Sequence, residues 1–291
     1  MLVPVDGGQL AVETHDGDTA PVLAIHGVSG SRKLWNWVAA HNFSLITPDL
    51  RGRGDSTALP GATIKQHADD MLRVLDALDL AAVTVCGMSM GAHVAVELAV
   101  RHPDRVRALV LVDGGFPMPA HAQLTQETLS AAFAPQLAAQ ERTWTVDEYL
   151  AVQAMVNPLI DATDPLIHDY FAHDLTDDGH LRLPGDTLIA DATDVVFGES
   201  RWQELTMPTW FVHAEWSTGP DSPPAYTVEQ AQAFRAELPV LHEPVLINEV
   251  DHGGTVMTPA GAAVVAEVLA EALRPELTAS ASTTNSTSSG S

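Results

Sequence analysis

The sequence has one cysteine among its 291 residues, few basic side chains and no long apolar run. A single thiol, Cys86, cannot form an intrachain disulfide, so the fold does not depend on an oxidising compartment and we expect a cytoplasmic protein. The start of the chain has neither a basic nor a long apolar stretch, and no later run reaches the roughly 18 apolar residues of a membrane span. We therefore expect neither secretion nor membrane anchoring.

Positive charge is also scarce, with 14 lysine and arginine residues against 38 aspartate and glutamate residues and a formal net charge of −24. So acidic a surface repels phosphate backbones and anionic lipid at long range, which excludes nucleic acid as a partner. Hydrophobic residues make up 46% of the chain and charged residues 18%. This composition is typical of a globular protein with a buried core.

Short runs of Val, Ile and Leu alternate with helical patterns along much of the chain. The pattern is typical of buried parallel strands joined by crossover helices, and it predicts an α/β fold with a mostly parallel central sheet and helices on both faces. The predicted strands are 22–25, 44–47, 83–86, 108–112, 210–213 and 245–250, and the clearest helices are 67–78, 92–102 and 259–273.

The alternation stops between residue 116 and about residue 200, where helical patterns follow one another without an apolar strand run. Thr145 and Glu148 form a capping-box pattern, and Asp164 before a proline marks another helix start. We therefore expect a helical cap inserted between two parts of one core. The predicted division is a core formed by 1–115 and 201–275, a cap formed by 116–200 and a low-complexity, disordered tail formed by 276–291.

The motif with the most chemical information is Gly87-Met88-Ser89-Met90-Gly91, which follows an apolar run and leads into a helical pattern. A nucleophile on a sharp turn from strand to helix needs glycine on either side, because a Cβ there collides with neighbouring backbone. The pattern therefore predicts that Ser89 is a catalytic nucleophile.

Together with two further motifs, this chain resembles the α/β-hydrolase superfamily, in its serine esterase and lipase branch with a helical cap. The motifs are His26-Gly27 after an early strand and the loop Asp49-Leu50-Arg51-Gly52-Arg53-Gly54-Asp55-Ser56. The resemblance implies that both loops shape the floor of an active site and that the backbone N–H of Val28 donates to an oxyanion hole. The second donor would be the N–H of Met90, at a helix N-terminus where amides are unpaired.

A serine hydroxyl is a weak nucleophile near neutral pH, so it needs a base and a third group that orients the base. Among 13 histidines, His252 follows the last apolar run and precedes the C-terminal helix. This is where the family places its catalytic histidine. We expect His26 and His93 to be structural.

The acid of the triad is where the sequence departs from the family's commonest pattern. Most members carry it after the strand that corresponds to 210–213, but this chain has Ser217 at that position. The candidates are Asp113, Asp221 and Glu215. We favour Asp113, because it ends a predicted strand and such a residue points into the active-site crevice of a parallel sheet; some family members also carry their acid there.

These residues predict a carboxylic ester hydrolase with a Ser-His-Asp triad, which cleaves an ester, thioester or lactone of a medium-sized apolar substrate through an acyl-enzyme. C–C bond hydrolysis, cofactor-free perhydrolysis and a ligand-binding receptor of the same fold stay open as alternatives. We expect no cofactor, and no metal, since spacing puts the cap histidines His168 and His173 on different helix faces. The expected partner is a small-molecule substrate, and the expected state is a monomer or homodimer.

Overall fold

The computed structural model describes residues 1–274, and within them eight strands form one sheet. The predicted tail, 276–291, lies outside the described residues. The strands are β1 (Leu2–Val5), β2 (Gly8–His15), β3 (Val22–Ile25), β4 (Leu45–Pro48), β5 (Val83–Met88), β6 (Val106–Val112), β7 (Thr209–Ala214) and β8 (Val245–Ile247). Their order is β1-β2-β4-β3-β5-β6-β7-β8. Strands β1 and β2 pair antiparallel with each other, β2 pairs antiparallel with β4, and the remaining pairs are parallel.

Helices connect these strands. The α-helices of the described residues are α1 (Asn36–Ala39), α2 (Ile64–Ala77), α3 (Met90–Arg101), α4 (Gln126–Ala132), α5 (Ala134–Ala139), α6 (Val146–Val156), α7 (Pro165–His173), α8 (Gly185–Phe197), α9 (Val228–Glu237), α10 (Gly254–Met257) and α11 (Pro259–Ala272). Short 3-10 helices lie at Arg32–Trp35, Gly54–Ser56, Pro103–Arg105, Pro119–Gln123 and Trp202–Glu204. Among residues 1–274, no helix is both long and apolar enough to cross a bilayer.

Two hydrophobic clusters cover the two faces of the sheet, as side chains alternate along each central strand. In β5, Val83 and Val85 join the cluster under α2 and α3, whereas Cys86 and Met88 join the cluster under α1 and α11. Burial on both faces explains why these strands read as continuous apolar runs. The predicted α/β architecture is confirmed.

The five α-helices α4 to α8 lie between β6 and β7, within the segment for which the sequence predicts a cap. Two details of the sequence expectation are wrong. Strands β1 and β2 precede the first predicted strand, and the predicted strand 245–250 ends at Ile247. The chain turns after Ile247, where Glu249 has a φ of 58° that a strand cannot accommodate.

The carboxyl ends of the central parallel strands meet at one edge of the sheet. Ser89 directly follows β5, Asp113 directly follows β6, and His26 directly follows β3. In an open α/β sheet this edge is where ligands bind. The fold thus places the sequence motifs at one location.

Candidate active site

Ser89 lies on a strained turn between β5 and α3. Its φ of 56° is in the region that side chains with a Cβ seldom occupy, and α3 begins at the next residue. Main-chain hydrogen bonds hold this conformation, since Ser89 N donates to Val112 O at 2.9 Å and Ala92 N donates to Ser89 O at 3.0 Å. The turn projects the serine at the edge of the sheet.

Glycine is required on both sides of this turn. A Cβ on Gly87 would overlap the carbonyl oxygen of Gly91, and a Cβ on Gly91 would overlap the carbonyl oxygen of Ile25. These obstacles are backbone atoms, which cannot swing away as a side chain could. The close approach of α3 to β3 and β5 therefore depends on both glycines.

His252 is hydrogen-bonded to Asp113, the residue that directly follows β6. His252 Nδ1 lies 2.6 Å from Asp113 Oδ2, and Asp113 Oδ1 accepts a hydrogen bond from Ala214 N at 3.2 Å. A carboxylate only accepts, so the Nδ1 atom carries the proton and the Nε2 lone pair is left to act as a base. Asp113 is buried, whereas the His252 side chain is 34% exposed.

The charge of Asp113 acts on the histidine. Burial alone would lower the pKa of His252, but the hydrogen bond and charge of Asp113, together with the charge of Asp251, outweigh burial and raise this pKa. These two carboxylates therefore stabilise the imidazolium that forms when His252 takes a proton.

Ser89 and Asp113 are neighbours across the paired strands β5 and β6. Ser89 N binds the carbonyl of Val112, the residue before Asp113, and a Cβ on Gly114 would overlap Ser89 O. The structure therefore brings the carboxylate that holds His252 next to the strand end that carries the serine.

The two other acid candidates lie elsewhere. Asp221 is exposed on the loop after β7, and Glu215 Oε2 accepts a hydrogen bond from Glu249 N at 2.7 Å. Ser217, at the position where most of the family has its acid, donates its N–H to Ser222 Oγ at 3.1 Å. The loop after β7 is thus an internally bonded turn.

The backbone around Val28 borders the side chain of Ser89. A Cβ on Gly27 would lie 3.1 Å from Ser89 Cβ and 3.5 Å from Ser89 Oγ. On the other side, Met90 opens α3, where the first N–H groups have no partner within the helix. Both main-chain donors predicted from the sequence, at Val28 and Met90, are therefore in elements adjacent to the serine.

His26 joins the two loops that form the floor. Its Nε2 accepts a hydrogen bond from Leu50 N at 2.9 Å, so its Nδ1 donates to Gly27 O at 2.8 Å. Burial lowers the pKa of His26 to about 4, so the ring is neutral near neutral pH. Both ring nitrogens are engaged with backbone, as a structural histidine requires. Burial likewise lowers the pKa of His93 to about 4.

The side chain of Arg53 holds the carbonyl group of Val28 in place. Its Nε and Nη2 donate to Val28 O at 3.0 and 2.7 Å, and its Nη1 is paired with Asp191 of α8. The side chains of Arg53 and Asp191 are both buried. A charged pair thus connects a cap helix to the Val28 backbone, which the sequence analysis did not foresee.

Asp251 holds the loop that carries His252. Its Oδ1 accepts from Gly254 N at 2.8 Å, and its Oδ2 accepts from Asn157 Nδ2 at 2.7 Å and from Gly219 N at 3.0 Å. The sequence offered a weak signal, an aspartate directly before the predicted base, but its partners lie far away along the chain.

Two adjoining cavities, of about 170 and 260 Å³, lie beneath the cap. They share Ser29, Gln136, Tyr149, Gln153 and Asp174 as lining residues. The first cavity is lined by Gly30 in the loop after β3 and by Arg53 in the loop after β4, and the second is lined by Asp251 and Gly253 on either side of His252. The cavities thus border the loops that neighbour Val28 and His252.

Some of the large apolar residues between 116 and 171 line these cavities and others do not. Trp144 and Tyr149 line the first, and Tyr149, Tyr170 and Phe171 line the second. Phe116 is instead packed in the core beneath Trp202 and Phe234, and Met155 is 78% exposed.

A group of possible metal ligands lies beside the cap. Atoms of Asp49, Asp55 and His173 are within 4.8 Å of one another. Arg32 is paired with both carboxylates, and burial, which raises the pKa of Asp49, is outweighed by His173 and Arg32, which lower it to about 2. The Arg32 guanidinium already neutralises the negative charge of the carboxylates that would bind a cation, so the group is an ion-pair cluster. His168 is not part of this group, because it is exposed and its Nε2 atom lies 3.9 Å from Asp147 Oδ1.

Comparison with known proteins shows which proteins this chain is similar to. A family model described as the alpha/beta hydrolase fold matches residues 20–147. A protein of Mycobacterium phage D29 named "Putative non-heme haloperoxidase" is 38% identical over 117 residues, which are 38% of this chain and 42% of that protein. The chain therefore spans less than half the length of the curated relatives that it first matches.

Solved structures match over nearly the whole chain. A thermophilic esterase from Thermogutta terrifontis is 23% identical with a TM-score of 0.67, over 94% of this chain and 99% of that one. An E-2-(acetamidomethylene)succinate hydrolase is 21% identical with a TM-score of 0.74, over 93% and 97%. At these identities the likeness concerns the fold. Together with the strand order and the turn at Ser89, it shows that the chain has the α/β-hydrolase fold.

Proposed function

We propose that the protein is a serine hydrolase that cleaves a carboxylic ester, a thioester or a lactone of a medium-sized apolar substrate. The observation that carries this proposal is the 2.6 Å hydrogen bond between His252 Nδ1 and Asp113 Oδ2, beside the strained turn of Ser89. A histidine oriented by a buried carboxylate and a serine with a positive φ is the arrangement that acyl transfer requires.

In the first half of the reaction, His252 Nε2 takes the Ser89 hydroxyl proton as Oγ bonds to the substrate carbonyl carbon. The carbonyl electron pair moves onto the oxygen, where the N–H groups of Val28 and Met90 donate to it. Each such donor contributes about 3 kcal/mol when it is preorganised. The tetrahedral centre then expels the alcohol or thiol, which takes its proton from His252.

In the second half, water attacks the acyl-enzyme and gives a proton to His252, and the collapse of the second tetrahedral centre returns this proton to Ser89. Nothing in this cycle consumes a metal ion or an organic cofactor. The apolar walls of the cavities, formed by Tyr149, Phe171 and their neighbours, favour a substrate with an apolar body.

The test is intact-mass measurement after treatment with a fluorophosphonate. Wild type should gain one adduct, whereas Ser89→Ala and His252→Ala should gain none. Ser217→Ala, which removes a hydroxyl from the turn after β7, is the matched control and should label like wild type. An adduct on Ser89→Ala, or labelling at another residue in peptide maps, would overturn the proposal.

One comparison supports a second candidate, cofactor-free perhydrolysis, because a relative carries the name of a non-heme haloperoxidase. Hydrogen peroxide would attack the acyl-enzyme in place of water and give a peracid. Rates on p-nitrophenyl butyrate, on a vinylogous diketone and in a peracid assay rank ester hydrolysis, C–C hydrolysis and perhydrolysis. Tight ligand binding with turnover below about one per minute would instead favour a receptor.

We further propose that the protein is cytoplasmic and acts as a monomer or homodimer. The single thiol, Cys86, is buried, and burial raises its pKa. One thiol cannot form an intrachain disulfide, so the fold needs no oxidising compartment, which supports the cytoplasmic assignment. Light scattering during gel filtration measures the oligomeric state.

A further inference from the structure

Asp174 has a carboxyl group that faces the cavities beneath the cap and takes no part in the proposed triad. It follows α7 directly and lines both cavities. Its main chain is engaged, since Asp174 N donates to Tyr170 O and Arg182 N donates to Asp174 O. Within residues 1–274 the carboxyl group itself interacts with its surroundings through charge, and no hydrogen-bond donor is paired with it.

Two tyrosines line the same cavities as Asp174. Tyr149 lines both cavities and Tyr170 lines the second. Burial raises the pKa of both hydroxyls, and the charge of Asp174 raises the two pKa values further. The ring of Phe171 packs edge-on against both tyrosines. The result is a carboxyl at the end of an aromatic wall.

The other charged groups that line the cavities are committed to protein partners. Arg182 Nη1 is paired with Asp55 at 2.7 Å and its Nε donates to Leu175 O. Arg53 is paired with Asp191 and with the Val28 carbonyl. Asp251 accepts three hydrogen bonds, as described above. Among the described lining residues, Asp174 is therefore the acid whose hydrogen-bonding capacity is left for a ligand.

We propose that Asp174 determines substrate specificity by receiving a positively charged amine, so that preferred substrates are esters with an ammonium group at their non-reacting end. This inference rests on the proposed function, because it names the substrate class of the same site. A carboxyl beside aromatic rings suits such a group, since the carboxylate accepts its N–H donors and the ring faces attract its charge.

The electrostatics of the cap agree with this assignment. Burial and the nearby charge of Asp49 raise the pKa of Asp174 well above its ordinary value, against the opposing effect of Arg182. A bound ammonium group would offset the free-energy cost of ionising Asp174, whereas a substrate carboxylate would add to that cost. The net charge of −24 also draws cationic substrates toward the protein.

Two isosteric esters test the inference, p-nitrophenyl 6-aminohexanoate and p-nitrophenyl heptanoate, which differ in a terminal ammonium against a methyl group. We expect the kcat/KM ratio of the amino ester to the neutral ester to fall at least tenfold from wild type to Asp174→Asn. Asp177→Asn, which removes the same charge from an exposed position three residues later, is the matched control and should keep the wild-type ratio.

The two proposals fail in different ways. Hydrolysis of the heptanoate ester that depends on Ser89, with a ratio unchanged in Asp174→Asn, would overturn the amine inference and leave the hydrolase proposal standing. If neither ester is hydrolysed, calorimetry on the Ser89→Ala variant decides the inference. Binding of 6-aminohexanamide should then exceed that of heptanamide, and Asp174→Asn should abolish the difference; equal binding of the two amides would refute the inference.

Discussion

Replacing Asp113 by asparagine should disable the histidine without changing the shape of the site. Asp113 Oδ1 accepts from Ala214 N at 3.2 Å and Oδ2 faces His252 Nδ1 at 2.6 Å. The buried Ala214 N–H requires an acceptor, so the carboxamide oxygen of the variant takes the Oδ1 position and the NH₂ group faces His252. His252 Nδ1 must then accept, and the ring proton moves to Nε2.

That exchange places a proton on the nitrogen that has to receive one from Ser89. The same tautomer error in serine proteases lowers kcat about 10⁴-fold, which corresponds to about 5 kcal/mol of transition-state stabilisation. We expect a loss of this order in kcat for p-nitrophenyl butyrate hydrolysis, with little change in KM, because Asp113 is buried behind His252 and away from the cavities.

The pH profile gives an independent measurement. His252 acts as a base only when it is neutral, so kcat/KM falls as the pH decreases through its pKa. Burial lowers the pKa of His252. Asp113 has the opposite effect, and the net pKa of His252 is raised. In Asp113→Asn the burial effect remains and the main opposing charge is gone, so the acid limb of the residual activity should move to lower pH.

Asp221→Asn and Glu215→Gln are the controls, since each changes one of the alternative acids by the same substitution of carboxylate by amide. Both should retain kcat within a few-fold of wild type. The assignment of the acid is wrong if Asp113→Asn keeps more than a tenth of the wild-type kcat and the kcat of either control falls below that level.

Three further predictions concern the supports of the site. Gly91→Ala drives a Cβ into the carbonyl of Ile25, so it should lower the free energy of unfolding by about 3 kcal/mol in urea titrations and reduce fluorophosphonate labelling. Arg53→Met removes two charged hydrogen bonds from Val28 O, so kcat should fall more than KM changes, and Arg53→Lys should restore little because an ammonium cannot replace the guanidinium fork. The pKa of Asp49 is lowered to about 2, so its ionised form stabilises the fold above about pH 4; Asp49→Asn should cost about 2 kcal/mol there, and the difference from wild type should vanish as the pH falls through 2.

The central strands were predictable because they are buried on both faces. Continuous apolar runs such as β3 and β6 carry a strong signal that depends little on distant residues. Strand β1 has exposed positions, with Leu2 59% exposed, and lies at the edge of the sheet, so its apolar pattern is weak. The Asp6-Gly7 pair that joins β1 to β2 is a hairpin signal that the apolar-run criterion does not detect.

The placement of the candidate site residues was predictable where a motif fixes local geometry, and not where distant segments meet. The turn at Ser89 follows from the glycines around it, and the place of Asp113 at the edge of the sheet follows from its position after an apolar run. The pairing of Arg53 with Asp191 joins positions 138 residues apart, and the exposure of Asp174 to a cavity depends on how the cap helices pack. Neither has a local pattern that could reveal it.

The contact of Asp113, directly after β6, with His252 bears on what the loop after β7 does. Because β6 lies between β5 and β7 in the sheet, Asp113 is bonded on one side to the end of β7 through Ala214 N and stands next to the β5 strand end on the other. The loop after β7 then does not carry the acid. Its Gly219 N donates to Asp251, which also accepts a hydrogen bond from the side chain of Asn157. The histidine is therefore oriented from β6, while its backbone is anchored jointly by the β7 loop and the cap. It follows that Asp251→Asn should lower kcat by disturbing the position of His252 even though Asp113 is intact, and that the loss should be larger than for Asn157→Ala, which leaves the two backbone donors in place.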